Sequence, residues 1–542
     1  SSSRLPAAPT SRPRGRFFPP PSCMGHFTLD IQDERARSFS SLGGSLILPR
    51  QQGATWLGTS WIMLADIVGT SVLTYAGVAK QLGWVPTIAF IVLLCPVAIY
   101  TAVLMSRTQS MLEKCRGIPP MTMGEAARLT LGGDTAAKAI YCIVYGFGFL
   151  GQSSYLLVLG QTLQGMFYDV ELCLPTAVLI SCALCLPVVL TIRRLSESVW
   201  LCFINLVLIL AVLGIVMAKL AHDGRPEGAR TFLFAEDLSI LTVFGAMTNI
   251  VFSYTGHWLY FEIMADMRQP EHFPRVFCVN APLQVGLYLL VACWGYYFAG
   301  DAAEGFFLDN LPNGVPYRVA SALLFAHVIV AFLIKNVVLT RYIHGLFAPP
   351  RVSTRLREPG GVRAHSEYAC FTLLLLTACF FMANAVPFFM EFMGLVGGLL
   401  SGPISFLLPI LFYVGASKQM AAAAQMSDAA QPGLGAPPDP GHARIAAAAG
   451  RDSKAPDALS APLQGAVDAA LPSACHAAAP RPSARAPWAV RGWEKVLFAV
   501  VGLLTVLTMV VGTSDVIRQI VSSMGEQGPP FSCKLLPPDR HR

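Results

Sequence analysis

Residues 56–84 read WLGTSWIMLADIVGTSVLTYAGVAKQLGW. The stretch is apolar and long enough to cross a bilayer's hydrocarbon core, which takes about 20 residues as α-helix. Yet Gly69-Thr70-Ser71 stands near its middle, with Asp66 one turn earlier. Residues 241–267, LTVFGAMTNIVFSYTGHWLYFEIMADM, repeat the pattern, with Ser253-Tyr254-Thr255-Gly256-His257 in the corresponding place. Unwinding a helix at mid-membrane exposes N–H and C=O groups that are costly against lipid. Such a break is tolerated where water or a polar ligand binds it. Half-helix N-termini then attract a carboxylate, and freed carbonyls attract an ammonium or a cation. One glycine alone reads as a helix-packing residue. Two at matching positions, each beside polar residues, point to a transporter site.

Outward from these segments the chain continues as apolar runs. Hydrophobic residues make up 54% and charged residues 13%, where a soluble globular protein carries about a quarter charged residues. The mean hydropathy is +0.54. Eleven spans are predicted, over 56–79, 84–105, 136–167, 174–192, 198–219, 240–262, 275–299, 317–345, 368–386, 394–415 and 493–511. The third and eighth are long enough to tilt or to project beyond the bilayer. Five spans separate the start of the first interrupted segment from that of the second, giving two halves of five plus an extra helix. The expected fold is an all-α integral membrane protein of about eleven transmembrane helices.

The organisation expected is a disordered tail over 1–52, a core of ten helices over 53–416, an Ala/Pro-rich disordered loop over 417–490, the eleventh helix over 491–513 and a C-terminal tail over 514–542. The loop's composition cannot build a packed core. The opening residues 1–23 are acid-free and rich in Ser, Arg and Pro, a composition compatible with a targeting peptide, and Met24 is an alternative start.

The formal charge of +7 raises the question of a nucleic-acid partner, but the basic residues fall in the tails and in alternate loops, without aromatic-interleaved basic patches. One set of short loops carries Arg107, Lys114, Arg116, Arg128, Arg193, Arg194, Arg268, Arg275, Arg341, Arg351, Arg355, Arg357 and Arg363. The other carries Lys80, Lys219, Arg225 and Arg230 and otherwise acids such as Asp169, Glu171, Asp301 and Glu391. The positive-inside rule puts the N-terminus and the 417–490 loop in the cytoplasm and, after eleven spans, the C-terminus outside. Most of the 14 cysteines, Cys95, Cys142, Cys182, Cys185, Cys202, Cys293 and Cys379 among them, lie in apolar runs and read as small packing residues. No metal site or cofactor is expected. GFGFLG at 146–151 has dinucleotide-loop spacing but no preceding strand, and reads as a small-residue helix face. The sequence contains no H-E-x-x-H, G-x-S-x-G or Walker A pattern, and no N-glycosylation sequon.

Four segments together resemble the amino acid/auxin permease family, within the superfamily of five-plus-five inverted-repeat transporters. They are ADIVGTSVLTYAGVAKQLGWVP (65–86), GQSSYLLVLGQTLQ (151–164), FSYTGHWLYFEIMADMRQPEHFPRV (252–276) and PFFMEFMGLVGGLLSGPISFLLPILFYV (387–414). Departures fall at Ser71, where the family usually has Gly, and at Thr74-Tyr75, where it often has Leu-Pro. The resemblance implies broken first and sixth helices and a substrate site between them, flanked by spans 3 and 8. Carried over residue by residue, the backbone at Ile67, Val68, Gly69, Thr70 and Ser71 would receive the carboxylate and amine of an amino acid. Tyr254, Thr255, Gly256 and His257 would line the opposite side, and Tyr155 would close over the substrate. Tyr155 as a packing aromatic and His257 as a hydrogen-bonded core histidine stay open at this stage.

Asp66, His327 and Lys335 are ionisable groups inside spans, where Asp or Lys costs about 2.5–3.5 kcal/mol on insertion scales. Asp66 and Lys335 are expected to approach one another, with Lys335 where sodium-coupled relatives of the fold hold an ion. A structural ion pair, or a lysine reaching for the interface, is the alternative. The function implied is secondary active transport of amino acids by alternating access, coupled to protons or sodium, with the amino acid and the lipid bilayer as partners. An amino acid sensor, a multi-pass enzyme and a carrier of auxin-like acids or amines remain the competing readings. Whether the membrane is the plasma membrane or a vacuolar or other endomembrane stays open.

Overall fold

The computed structural model describes residues 54–117, 119–191, 198–347, 361–429 and 489–533. Among them nine helices are long and apolar enough to cross a membrane. The split first span makes a tenth by the same measure, and the split sixth span, in two shorter helices, is counted here as the eleventh. Span 1 comprises Trp56–Ile67 and Thr70–Leu82, bent by 42° across the break. Span 6 comprises Ile240–Ser253 and Tyr260–Asp266, joined through a short 3-10 turn at His257–Leu259. The others are Trp84–Arg116, Asp134–Met166, Leu174–Thr191, Ser198–Asp223, Phe273–Ala299, Val315–Phe347, Gly361–Ala385, Phe389–Gln425 and Gly492–Gly525. The predicted long third and eighth spans are 33 residues each, about 50 Å at 1.5 Å per residue.

Two boundaries differ from expectation. The helix of span 10 runs on to Ala429, so residues 417–429 are helical, and only the later part of the predicted loop lies outside the described residues. The eleventh helix also continues, through a π-turn at Thr508–Gly512, to Gln527; from Gly492 it is about 54 Å long, more than the roughly 30 Å of a bilayer's hydrocarbon core. The predicted N-terminal tail lies outside the described residues.

Local chemistry sets the ends of span 1. The Thr55 hydroxyl caps its start by accepting from the Gly58 N–H at 3.2 Å, satisfying one donor of an open first turn. At the other end Gly83 takes φ +83° and turns the chain sharply into span 2. An added Cβ there would meet the backbone of Leu233, Phe234 and Ala235 at 2.8–2.9 Å, so only glycine fits. The same loop is stitched to the turn by Trp84 N–H to Phe232 O at 3.1 Å and Val85 N–H to Leu233 O at 3.0 Å. At its beginning span 1 is tied to the end of span 6, where Ala54 N–H donates to Asp266 O and Arg268 N–H to Ala54 O, both at 3.0 Å.

Span 7 packs on both halves of span 1 and on span 2, whereas span 8 packs on spans 3 and 5. Spans 3, 4 and 9 also pack together, and the first half of span 6 lies against spans 10 and 11. The broken spans therefore sit between two groups of continuous helices. The described C-terminal ends of even-numbered spans define one face, the near face, and those of odd-numbered spans the other, the far face.

Cysteine usage needs a correction. Cys173, in the loop after span 3, is disulfide-bonded to Cys533, beyond the end of span 11. Eight crossings separate the two, an even number, so both belong to the far face. Cys95, Cys182, Cys185 and Cys379 are free and buried, as packing residues would be, whereas free Cys142 is exposed and Cys293 is half-buried. Cys182 and Cys185 have C-x-x-C spacing, but both are buried within a continuous helix. No group of three or more metal-ligating side chains occurs among the described residues.

Candidate functional site

The break in span 1 covers Val68 and Gly69, after which the chain re-enters helix as a 3-10 turn over Thr70–Thr74. Gly69 has φ −117°, which any residue can adopt, so conformational freedom does not explain it. Nor does crowding: a Cβ at Gly69 would lie 3.6 Å from Asp66 O and 3.7 Å from the Tyr155 hydroxyl, ordinary contact distances. The glycine leaves room on the side that faces span 3.

Both breaks open onto a small cavity of about 30 Å³. Span 1 contributes Asp66, Ile67, Gly69, Thr70 and Ser71, and span 6 contributes Phe252, Ser253, Thr255 and Trp258. Phe147 and Tyr155 of span 3 and Lys335 of span 8 close the remaining sides. The Thr70 hydroxyl is buried with no hydrogen-bond partner, a feature that a polar ligand would satisfy.

The charged groups face each other across this space. Lys335 is only 6% exposed, and its Nζ stands 4.4 Å from the centre of the Tyr155 ring and 5.7 Å from that of Trp258. Such a cation over aromatic faces gains more when desolvated. The Asp66 carboxylate lines the same cavity as the Trp258 side chain and lies within the field of the Lys335 charge. Asp66 and Lys335 thus line the same cavity, with the Tyr155 and Trp258 rings beside the ammonium.

The other expected positions divide. Val68 is buried but does not line the cavity. On span 6, Thr255 lines it while Tyr254, Gly256 and His257 do not. The Tyr254 hydroxyl donates to Ile91 O at 2.7 Å, in span 2. His257 is 0% exposed, and its Nε2 lies 3.0 Å from the Thr101 hydroxyl and 3.1 Å from Ala98 O. It is the hydrogen-bonded core histidine that the sequence had left open. Gly256 is a packing glycine, because a Cβ would meet the Tyr260 hydroxyl at 2.7 Å and its ring at 3.0–3.1 Å. His327 likewise serves packing between spans, its Nδ1 lying 2.9 Å from Asn205 O of span 5.

Four lining residues were not anticipated: Phe147, Phe252, Ser253 and Trp258. One signal was available, since Phe147, Gly151 and Tyr155 recur every four residues and so share a helix face. The Phe147 ring lies tilted at 5.9 Å from both Phe252 and Trp258. Tyr288 of span 7 was missed as well. Its hydroxyl donates to Ser253 O at 2.8 Å and lies 3.5 Å from Ile67 O, so it satisfies a carbonyl at the break of span 6 beside the break of span 1.

Two discontinuous spans meeting at a central cavity within a bundle of continuous ones define a polytopic membrane transporter, with the polar backbone placed where a ligand can use it. The chain belongs to the transmembrane amino acid transporter protein family, whose model matches residues 52–428. It is similar to amino acid transporter AVT1D of Arabidopsis thaliana, with 27% identity over 366 residues, 65% of this chain and 62% of that protein's length. Amino acid permease 3 of the same plant is 21% identical over 409 residues, covering 68% of this chain and 84% of the relative. Among solved structures, a nucleobase-cation-symport-1 family transporter in a closed conformation aligns with a TM-score of 0.45 and 15% identity, over 89% of this chain and 95% of that one.

Proposed function

We propose that the chain is a secondary active transporter that moves amino acids by alternating access, coupled to protons. The observation that carries this reading is the cavity itself: both helix breaks, a partnerless buried hydroxyl at Thr70, and an Asp66–Lys335 charge pair share one space. A zwitterionic amino acid needs donors for its carboxylate and acceptors for its ammonium. The start of the second half of span 1 supplies the first, and the Asp66 side chain and neighbouring carbonyls supply the second. The names of the relatives, amino acid transporters and permeases, favour the same substrate class.

A fixed ammonium at Lys335 disfavours a metal cation beside it, because like charges in a poorly screened interior repel strongly. A proton moving between Asp66 and solvent changes that balance without a second cation, which favours proton over sodium coupling. The near face, with the arginine-rich loops, is assigned to the cytoplasm. The disulfide on the far face supports this assignment, because disulfides persist on oxidising sides of membranes.

The test is uptake of labelled amino acids into proteoliposomes under a proton gradient, a sodium gradient or neither. Accumulation under the proton gradient alone is the expected result. Facilitated exchange insensitive to both gradients, from folded protein, would remove the coupling, and no uptake at all would favour a sensor.

A further inference from the structure

The far-face disulfide sits where it can act on the transport site. Span 11 ends at Gln527, and the chain then reverses at Gly528, with φ +92°. A turn closed by Ser532 N–H to Pro529 O at 3.1 Å follows. Phe531 lies 6.0–6.4 Å from Phe380 and Phe381 at the end of span 9. Two residues later Cys533 bonds Cys173, at the start of span 4. The tail is therefore anchored twice to the group of spans 3, 4 and 9.

The helix leading into this anchor touches both broken spans. Within Thr513–Gln527, Gln519 accepts a hydrogen bond from Gln81 at 3.1 Å, and Gln81 belongs to the second half of span 1. Gln519 in turn donates to Asp515 at 2.6 Å. Asp515 is buried against Gly245, where a Cβ would collide with its carboxylate. Gly245 lies in the first half of span 6. One stretch of helix thus leans on the far-face halves of both broken spans, and its end is covalently tied to the opposite group of helices.

We propose that the Cys173–Cys533 disulfide is a redox-addressable brace on the far-face gate. While it is intact, Thr513–Gln527 is held against residues 70–82 and 240–253 and resists their outward swing. A dithiol releases the brace. Cys533 is exposed, so one thiolate of the dithiol attacks its sulfur and the Cys173 thiolate leaves. The second thiol of the reagent then attacks the mixed disulfide, so that the protein ends with two thiols and the reagent as a cyclic disulfide. No metal or further electron carrier is needed. The consequence for transport rests on the alternating-access reading, whereas the mechanical coupling does not.

The test is hydrogen–deuterium exchange on the purified full-length chain with and without dithiothreitol, with mass spectrometry of non-reduced digests to follow the Cys173–Cys533 bond. Exchange should rise several-fold in peptides from 70–82, 240–253 and 513–527 on reduction. Peptides from the near-face halves, 56–67 and 260–266, should stay unchanged. Cys533→Ser should show the raised exchange without reagent and no further response to it. Gln519→Ala, which leaves both cysteines in place, should reproduce part of the rise. A uniform rise across all spans would reduce the bond to a general stabiliser, and no rise with the bond shown broken would overturn the brace. Either outcome holds whether or not the same preparation takes up amino acids.

Discussion

The Tyr288 hydroxyl donates a 2.8 Å hydrogen bond to the carbonyl of Ser253, the last residue of the first half of span 6. The same oxygen lies 3.5 Å from Ile67 O at the break of span 1, so one residue of span 7 touches the ends of both half-helices. We expect Tyr288→Phe to lower stability by about 0.5–1.5 kcal/mol, the net worth of a typical hydrogen bond. The loss should stay at that scale because Gln284 Nε2, 3.3 Å from Ser253 O, remains to donate. Thermal unfolding in detergent reads the change. Uptake should fall more than stability does, since the freed carbonyls alter the geometry at both breaks.

Gly69 and Gly256 should respond oppositely to a methyl group. At Gly69 the nearest neighbours of a Cβ stand at 3.6–3.7 Å, ordinary contact, so Gly69→Ala should fold normally. Gly69→Leu should reach Tyr155, fill the cavity and abolish uptake while the protein stays folded. Gly256→Ala should instead be destabilised by about 1–3 kcal/mol, the usual range for overpacking, because the Tyr260 ring blocks the site. Unfolding and uptake measured side by side separate the two cases.

Lys335 and Asp66 are expected to govern coupling more than binding. Lys335→Ala should retain exchange of labelled for unlabelled amino acid across the vesicle but lose accumulation under a proton gradient. Asp66→Asn should do the same. Full, still-coupled uptake by Lys335→Ala would leave the pair as a structural feature only.

Two neighbours in sequence should part in function. His257→Ala is expected to cost about 1–3 kcal/mol of stability, through loss of its buried partners in span 2, with the substrate KM of the folded fraction unchanged. Trp258→Ala should raise KM markedly, since its ring lines the cavity and lies 5.7 Å from the Lys335 ammonium. Uptake kinetics on protein quantified by size-exclusion chromatography settle both.

The eleven spans also carry a topological expectation. Epitope tags added at the two ends of the chain should be digested by protease from opposite faces of sealed vesicles, and the C-terminal tag should share its face with Cys173.

Most of the architecture was legible in the residues because a bilayer imposes one solution on a hydrophobic run of given length: the backbone must satisfy itself as helix. The span count, the two breaks and their spacing, and Asp66 beside the first break followed from that constraint on one-dimensional patterns. The extension of span 11 to Gln527 did not, because TSDVIRQIVSSMGEQ is too polar to read as membrane helix; packing of Val516 and Ile520 stabilises it instead. The direction of each side chain around the second break was equally out of reach. His257 and Trp258 are adjacent, and only the local 3-10 turn sends one toward span 2 and the other into the cavity. Tyr288 and the Cys173–Cys533 bond depend on contacts between residues 35 and 360 positions apart. Sequence by itself determined which segments cross the membrane and where two of them break, since these are properties of a segment and its solvent. Tertiary structure decided which side chains meet at the breaks and what holds the far-face halves in place, since those depend on how distant helices pack.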